Sequence, residues 1–394
     1  MSSALTQQLP YRLGAATFVL NNTLYTYGGE GRGINATSNF VSVAFSANDG
    51  SIVYNPVQVA QQGPSVAYSQ AVLLPDNDTV LLFGGSSSPP ATNGSEILFY
   101  QFRFSTRAWT PGLINGTAVP PNRMYFTATL ASNGLVYIYG GAGAVQTALN
   151  DFWSYNPATG EFVNLTAPGQ PALYGYNAVA LPNEKILYLF GSTTIDQQNG
   201  MFVRMASNQS LLYDTTTNTW NITVLNGAYR VSSRLDGNAV LGPDQKTIYF
   251  FAGDDGGAPW SRRFRNGVDI LDTSTWQWIR PSIQGSPPRL RSFASAGLIS
   301  GAGNMYYNDI NVLQVPASND LQTVNWVANV TTGALTNQPE QVPAEINRGV
   351  IAAIVSVCVI AASLILFLLW RFRRSVRRKI MRVHYDFWKP RQIR

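Results

Sequence analysis

The sequence has almost no cysteine or histidine: Cys358 and His384 are the single examples in 394 residues. One cysteine excludes an internal disulfide framework, a lack that is usual in cytosolic proteins. Because both residues lie near the C-terminus, the chain before them cannot build a Cys nucleophile, a Ser-His-Asp triad or a His-ligated zinc site. Carboxylate, Tyr, Lys and Arg side chains are the remaining candidates for catalysis.

Charge is also scarce and is unevenly distributed. Charged residues make up 12% of the chain, about half of the usual ~25%, which fits a β-rich extracellular protein better than a cytosolic one. The net charge is −4 before Arg348 and +10 from Arg348 onward. The sequence pI of about 9.4 therefore describes a basic tail, and we predict no nucleic-acid partner.

The clearest structural pattern lies in the middle of the chain. Leu135 to Tyr139 alternates β-branched and aromatic residues, which predicts a strand. Met124 to Ala131 precedes it as a first strand, and Asn150 to Tyr155 and Glu161 to Leu165 follow as a third and a fourth. This segment therefore predicts one four-stranded antiparallel unit.

The unit recurs along the chain. A strand ending in a glycine pair appears three times with a spacing of 56 residues, and two later copies keep one glycine. We expect positive φ at these turns, because glycine adopts it at little cost. The glycines are Gly28, Gly29, Gly84, Gly85, Gly140, Gly141, Gly191 and Gly253. A turn followed by tryptophan recurs as well, ending at Trp109, Trp220 and Trp276.

This strand, glycine-pair, strand, turn and tryptophan pattern at about 50 residues resembles the kelch β-propeller family over residues 12–330. The resemblance implies an all-β propeller of four-stranded antiparallel blades, whereas an unrelated β-sandwich is the alternative. We count six blades, or seven if the N-terminal ten residues belong to another unit. The sixth unit departs from the pattern, because its second strand is reduced to Ser300-Gly301-Ala302-Gly303.

A membrane segment follows the repeats. Residues 349–370 are 22 consecutive positions without a charged side chain. As one transmembrane α-helix they span about 33 Å, against roughly 30 Å of hydrocarbon. A buried soluble helix is the alternative, but the chain offers no second helix to cover it. Seven basic residues lie between Arg371 and Arg382, so the positive-inside rule predicts a cytoplasmic tail at 371–394 and an outward propeller.

The remaining segments agree with a type I, single-pass topology in the plasma membrane or secretory pathway. Residues 1–11 carry no apolar core of signal-peptide length, so a signal is absent or truncated, and residues 331–348 are predicted to form a polar stalk. Nine N-glycosylation sequons lie on the side assigned to the exterior. They are Asn21, Asn35, Asn77, Asn93, Asn115, Asn164, Asn208, Asn221 and Asn329.

One loop carries candidate binding residues. Asp254 and Asp255 follow a strand and offer oxygen ligands to a hard cation, although an acidic turn is the simpler interpretation. Three arginines and two aromatic residues come next, and such side chains can bind an acidic glycan or a protein partner. A merely solvated loop is the alternative. The candidates are Asp254, Asp255, Trp260, Arg262, Arg263 and Arg265.

The chain is further similar to the galactose oxidase-like, single-pass kelch membrane proteins of fungi. Galactose oxidase needs two His ligands and a Tyr–Cys cross-link, which this propeller lacks, so we predict no metal, no cofactor and no enzyme activity. The predicted function is binding of an extracellular protein or glycan. The alternatives are a carbohydrate-active enzyme that uses paired carboxylates, and an intracellular kelch adaptor.

Overall fold

The structure is a computed structural model. It describes residues 12–31, 35–45, 52–87, 96–143, 147–196, 201–227, 229–257, 263–285, 287, 296–299, 302–307, 309–314 and 323–331. The chain divides into two compact units, Met1–Gly333 and Ala334–Arg394, and the second lies outside the described residues together with the predicted membrane segment 349–370. Within the described part, no helix has the length and apolar character needed to cross a membrane.

All elements of the described part are β-strands. The first blade contains β1 Ala16–Leu20, β2 Thr23–Tyr27, β3 Phe40–Phe45 and β4 Ile52–Pro56. The second blade and a small accessory pair contain β5 Val66–Ala67, β6 Gln70–Leu73, β7 Thr79–Phe83, β8 Ser86–Ser87, β9 Phe99–Arg103 and β10 Ala108–Pro111. The third blade contains β11 Thr127–Leu130, β12 Val136–Tyr139, β13 Phe152–Asn156 and β14 Glu161–Asn164.

The later part of the chain continues the pattern with additions. The fourth blade and an inserted hairpin contain β15 Asn177–Leu181, β16 Lys185–Leu189, β17 Ser192–Asp196, β18 Met201–Arg204, β19 Gln209–Asp214 and β20 Thr219–Val224. The fifth blade contains β21 Asn238–Leu241, β22 Thr247–Phe251, β23 Val268–Asp272 and β24 Gln277–Ile279. A C-terminal sheet contains β25 Ser282–Gln284, β26 Ala296–Ile299, β27 Ala302–Tyr307, β28 Asp309–Gln314 and β29 Thr323–Thr331.

These sheets form an all-β propeller. Five four-stranded antiparallel blades lie within the described residues, and the strands of each follow chain order from the innermost outward. The innermost strands β1, β6, β11, β15 and β21 contact one another in succession. The C-terminal sheet has the order β25-β29-β28-β27-β26, in which β25 pairs with β29 in parallel.

The core lies between neighbouring blades. The second strand of a blade is covered on both faces, so β7 and β22 are buried at every position and their sequences, TVLLF and TIYFF, are continuous apolar runs. Aromatic residues fill the interfaces, as where Trp109 of blade 2 lies 4.3 Å, centroid to centroid, from Tyr27 of blade 1. Such pairs add to the burial energy of the rings.

Neighbouring blades are also joined at their outer strands. The segment that leaves one blade forms a parallel bridge to the outer strand of the next, as between Gln61 and Ala108 or between Asn115 and Glu161. The same bridge joins Asn226 to Gln277, and β25 repeats it with β29. We call each such segment a strap.

Two sequence-based expectations were wrong. The second strand of the sixth unit is present as β27 at Ala302–Tyr307, rather than reduced to Ser300–Gly303. Trp276 does not align with Trp109, because it occupies the last turn position with φ 57°, and Trp278 is the buried residue of that outer strand.

Candidate functional site

The start of every inner strand lies beside the end of the second strand of its blade. The antiparallel register pairs Ala16 with Tyr27 and Gln70 with Phe83, and the other three blades follow the same rule. The glycine turns follow the second strands directly. They therefore surround the entrance to the propeller axis, and we call this side the glycine face.

The glycine turns keep their backbone shape even where the sequence has changed. Gly28 and Gly29 have φ of 72° and 88°, and a Cβ on Gly28 would lie 2.3 Å from the carbonyl oxygen of Val66. In blades 4 and 5 the first position is Phe190 or Ala252, and both retain positive φ. The first position therefore accepts other residues in blades 4 and 5, whereas the second is glycine in every described blade.

A second set of left-handed residues rings the axis. Each lies two residues before an inner strand, and all have φ between 54° and 64°. They are Gly14, Tyr68, Tyr125, Gly175 and Asp236. Backbone hydrogen bonds connect neighbouring members, since Tyr68 N donates to Gly14 O (2.6 Å) and Asp236 N to Gly175 O (2.9 Å). Non-glycine residues at positive φ cost roughly 1–2 kcal/mol, and such positions often mark functional sites.

This ring surrounds an open cavity on the axis, which we call the axial pocket. Its cavity volume is about 150 Å³, which is smaller than the roughly 300–1,000 Å³ typical of small-ligand sites. Five blades contribute to its wall. Tyr68 and Tyr125 form an aromatic pair there, with ring centroids 4.9 Å apart. Asp236 supplies the one charged side chain of the described lining.

A hydrogen bond to Glu30 holds Tyr68, one member of the aromatic pair, in place. Tyr68 Oη donates to Glu30 Oε1 at 2.5 Å. Burial raises the pKa of Tyr68, and the hydrogen bond to Glu30 raises this pKa further. The phenol is therefore neutral under physiological conditions and presents its ring to the axial pocket.

Two polar atoms in the pocket wall lack a hydrogen-bond partner. They are Ser69 Oγ and Asn177 Nδ2, on side chains that belong to residues only 2% and 8% exposed. Ser69 precedes β6 and Asn177 begins β15. A buried polar group without a partner costs about 1–3 kcal/mol, and both atoms are closed off from the cavity and from solvent.

An inserted hairpin of blade 4 is docked beside the pocket. Phe202 N, in β18, donates to Gly257 O at 3.0 Å, and Arg204 donates to the carbonyl oxygens of Ser233 (3.3 Å) and Gly256. Burial lowers the pKa of Arg204, while the negative charges of Asp254, Asp255 and Asp236 oppose this effect. We call the contact between the β17–β18 hairpin and residues 253–257 the clasp.

The predicted binding loop is largely paired within itself. Buried Asp254 accepts the backbone N–H groups of Gly256 and Arg263 on Oδ1, both at 2.8 Å. Asp255 Oδ2 accepts from Arg265 Nε at 2.7 Å and from Ser232 Oγ at 2.9 Å. Burial raises the pKa of Asp255, but these hydrogen bonds and the arginine charges outweigh it and lower the pKa overall.

The same loop still presents positive charge to solvent. The side chains of Arg263 and Arg265 are 69% and 48% exposed, although both contact Asp255. Trp260 and Arg262 lie outside the described residues. Within the described residues no group of three His, Cys, Asp or Glu side chains is arranged to hold a metal ion.

The predicted sequons occupy the surface of the propeller. Within the described residues, the side chains of seven sequon asparagines are exposed. They are Asn21, Asn35, Asn77, Asn115, Asn164, Asn208 and Asn221. Asn93 and the side chain of Asn329 lie outside the described part.

Buried arginines were missed by the sequence reasoning. Arg123 and Arg234 each lie four residues before an inner strand, and each donates to the carbonyl of the first glycine-turn residue, Gly140 (2.8 Å) or Ala252 (3.1 Å). Asp151 and Asp269 neutralise them. Arg12, Arg123 and Arg234 recur at intervals of 111 residues, a two-blade period that was available in the sequence.

Comparisons with known proteins agree with this architecture. Residues 14–221 match the family model described as the KLHDC2/KLHL20/DRC7 Kelch-repeats domain. Kelch domain-containing protein 3 of Rattus norvegicus and of Mus musculus are each 28% identical over 252 residues, which cover 60% of this chain and 61% of theirs. The chain thus spans about three fifths of these relatives' length. The solved structure of YjhT matches 80% of this chain and 97% of its own, with a TM-score of 0.59 at 12% identity.

Proposed function

Because this chain belongs to the kelch-repeat family, we propose that it is a protein-binding module that receives its ligand on the glycine face. One observation carries the proposal: the axial pocket, the clasp and the exposed arginines of the 263–265 segment adjoin the same entrance to the propeller. Loops on a rigid scaffold are where binding residues concentrate. The clasp orders two such loops before a ligand arrives, which lowers the entropy cost of binding.

The ring that supports this face is proposed to have six blades. The C-terminal sheet supplies four antiparallel strands, β26 to β29, as each other blade does. Its β26 contacts both β21 of blade 5 and β1 of blade 1. With this sheet as the sixth blade, every innermost strand has a neighbour on both sides, and the ring closes without exchange of a strand between its ends.

The proposed setting is the outer side of a membrane, with residues 349–370 as a single transmembrane helix. Two features support this arrangement: the apolar stretch is followed by a strongly basic tail, and seven sequon asparagines are exposed on the propeller. The ligand is then an extracellular protein or a glycan. Enzymatic cleavage by paired carboxylates finds little support, since Asp236 is the one carboxylate in the described pocket lining.

A charge-reversal pair tests the binding face. Arg263→Glu reverses an exposed charge on the glycine face, whereas Arg107→Glu does the same in a turn between β9 and β10 at the far end of blade 2. The full chain would be displayed on cells and screened against extracellular proteins and glycans, and each ligand found would be retested with both variants. We expect Arg263→Glu to weaken binding and Arg107→Glu to leave it unchanged. Equal binding by both variants would exclude this face.

Glycosidase digestion tests the topology separately. Protein expressed in eukaryotic cells should shift to a lower apparent mass on treatment with an N-glycosidase. No shift would favour the intracellular location and would leave the binding face untouched.

A further inference from the structure

Four exposed arginines lie where blade 5 meets the glycine face. Arg263 and Arg265 belong to the segment that follows the glycine turn, with side chains 69% and 48% exposed. Arg280 follows β24 and is exposed, and its guanidinium lies over the ring of Tyr229, 5.4 Å from the ring centroid. Arg230 comes directly after Tyr229 and is exposed as well. We call these four side chains the arginine band.

The two arginines on the loop are held in place by the protein. Arg263 Nε lies 3.5 Å from Asp255 Oδ1, and Arg265 Nε donates to Asp255 Oδ2 at 2.7 Å. Their backbone is fixed too, because Arg265 N donates to Gly253 O and Asp255 N donates to Arg263 O, both at 2.9 Å. These side-chain contacts use at most two of the five N–H donors of each guanidinium, so both guanidiniums can also bind an external anion.

Contacts continue from this pair to the outer strand. Asp269 is close enough to raise the pKa of Arg265, although the hydrogen bond with Asp255 has the larger effect on that pKa. Asp269 Oδ1 accepts from Tyr229 Oη at 2.8 Å, and the Tyr229 ring in turn supports Arg280. The band is therefore one continuous surface from the loop to the end of β24.

The carboxylates of this region are buried beneath the arginines. Asp254 is 0% exposed, Asp269 3% and Asp255 6%. The chain before Arg348 carries a net charge of −4, yet here the acids face inward and the bases face the solvent. The arginine band is therefore an electropositive patch on a propeller that is acidic as a whole, and such a patch attracts anions.

We infer that the arginine band binds an anionic glycan, a sugar chain that carries several sulfate or carboxylate groups. This inference rests on the proposed function, because the band lies on the glycine face, and it names the chemistry of the ligand group that meets blade 5. Guanidinium groups bind oxyanions through paired N–H donors. A row of arginines therefore suits a chain whose charges recur along its length.

The surroundings of the band favour a glycan over an acidic protein segment. Protein interfaces are anchored by apolar or aromatic side chains at a centre that is depleted of charge. Within the described residues, no exposed large apolar side chain belongs to segments 229–230 and 263–265 or to position 280. Tyr229 is partly buried under Arg280, and its hydroxyl is engaged by Asp269. A ligand bound here gains its affinity mainly from charge.

Arginine-selective labelling with phenylglyoxal tests the inference on the full chain. Mass spectrometry reads each arginine separately, so protection of the propeller is distinguished from binding to the basic tail at 371–394. The probes are a sulfated heparin hexasaccharide, a galacturonate hexamer that carries carboxylates alone, neutral maltohexaose and hexaglutamate. We expect at least one anionic sugar to protect Arg263 and Arg280 at a lower concentration than hexaglutamate does, and maltohexaose to protect neither.

Two internal controls accompany the labelling. Arg103 and Arg107 are exposed at the β9–β10 turn, on the opposite side of the propeller, so the anionic sugar should leave their labelling unchanged. Protection of the band should disappear in about 1 M salt, where the Debye length falls to roughly 3 Å.

A triple variant measures the contribution of the band to affinity. Arg230→Ser/Arg263→Ser/Arg280→Ser removes three exposed cations and keeps Arg265 on the buried Asp255. The sugar concentration that half-protects Arg265 should rise at least about tenfold, since each exposed ion pair contributes a factor of up to about five. If this variant fails to fold, Arg280→Ser alone provides the same comparison with a smaller expected rise.

A second triple variant is the matched control. Arg103→Ser/Arg107→Ser/Lys246→Ser also removes three exposed cations, but from the turns on the opposite side of the propeller. The concentration that half-protects Arg265 should not change in this variant. A rise equal to that of the first triple variant would show that overall charge, and not the band, attracts the sugar.

Three further results would overturn the inference. They are that no anionic sugar protects the band, that maltohexaose or hexaglutamate protects it as well as the anionic sugars do, or that removal of the band arginines leaves the half-protecting concentration unchanged. A protein ligand that still docks on the glycine face would then leave the proposed function standing. Loss of that docking as well would remove both.

Discussion

Arg123 and Asp151 form a bidentate ion pair in blade 3, with Nη1 2.8 Å from Oδ1 and Nη2 2.6 Å from Oδ2. The arginine side chain is 0% exposed. It also donates to Gly140 O at 2.8 Å and to Pro121 O at 3.1 Å. The pair therefore ties the chain that enters the blade to its glycine turn, and it holds a full charge away from water.

Breaking this pair from one side should be costly. Asp151→Asn leaves the Arg123 charge uncompensated, so we expect a loss of about 3–5 kcal/mol in the free energy of unfolding. The double variant Arg123→Met/Asp151→Leu should lose less, because no buried charge remains. Denaturant titration measures both. Lys185→Met, which removes the more exposed partner of Asp214, should change the midpoint little.

Substitution of the second glycine of the turn should add a steric clash to the backbone strain. At Gly191, φ is 90° and an added Cβ would lie 2.8 Å from the Cβ of Tyr176. At Gly134, φ is 81° but nothing lies within 4 Å of an added Cβ. Gly134→Ala thus measures backbone strain alone, roughly 1–2 kcal/mol, and Gly191→Ala adds a steric clash. Equal losses in a thermal melt would show that close approach plays no part.

The fold was largely predictable because its signals are local. A glycine turn and a continuous apolar strand occupy adjacent positions, so their repetition identified blades and most strand positions. The axial pocket was not predictable, because residues such as Ser69 and Asn177 are 108 residues apart in sequence and line the same cavity only when the ring is assembled. The Asp255–Arg265 pairing was likewise hidden, since composition does not reveal whether neighbouring opposite charges face each other or the solvent.

In the outer strand of blade 5, Trp278 and not Trp276 takes the buried position that Trp109 has in blade 2, and an experiment can test this assignment. Trp278 is 4% exposed and packs with Phe190, centroids 5.6 Å apart, so Trp278→Ala should cost about 3–5 kcal/mol. Trp276 occupies the left-handed turn position that Asn218 fills in blade 4. Trp276→Asn should therefore cost much less, because asparagine tolerates this φ. A thermal melt in which Trp276→Asn is the more damaging change would contradict the structural alignment.

Acid should loosen the 254–265 loop. Burial opposes ionisation of Asp255, yet its hydrogen bonds from Arg265 and Ser232 lower its pKa below the ordinary 3.8. A lowered folded-state pKa means that the stabilisation is present above about pH 4 and is lost as pH falls through the folded value. Asp255→Asn should be less stable than the parent at pH 6, and the gap should narrow toward pH 3. A constant gap in melting temperature would refute this linkage.

The outer edge of blade 4 should be the propeller's most association-prone surface. Within the described residues, straps reach the outer strands of blades 2, 3 and 5, but residues 165–173 form none against β20. This edge strand exposes Ile222 (64%) and Val224 (52%). Unpaired edges with exposed apolar side chains recruit strands from other molecules. Ile222→Lys/Val224→Lys should therefore reduce self-association of unglycosylated protein, measured by light scattering.

A control on β14 distinguishes association through the unpaired edge from association through any exposed apolar side chain. Val163 is 43% exposed on β14, where the strap at Asn115 already pairs with Glu161, so Val163→Lys should have little effect on association.

Asn221 lies between Trp220 and Ile222 and begins a sequon, so a glycan there would block the same edge of blade 4 sterically. Thr223→Val, which destroys that sequon, should raise association only in protein made with glycans. An equal rise in protein made without glycans would instead point to the added valine.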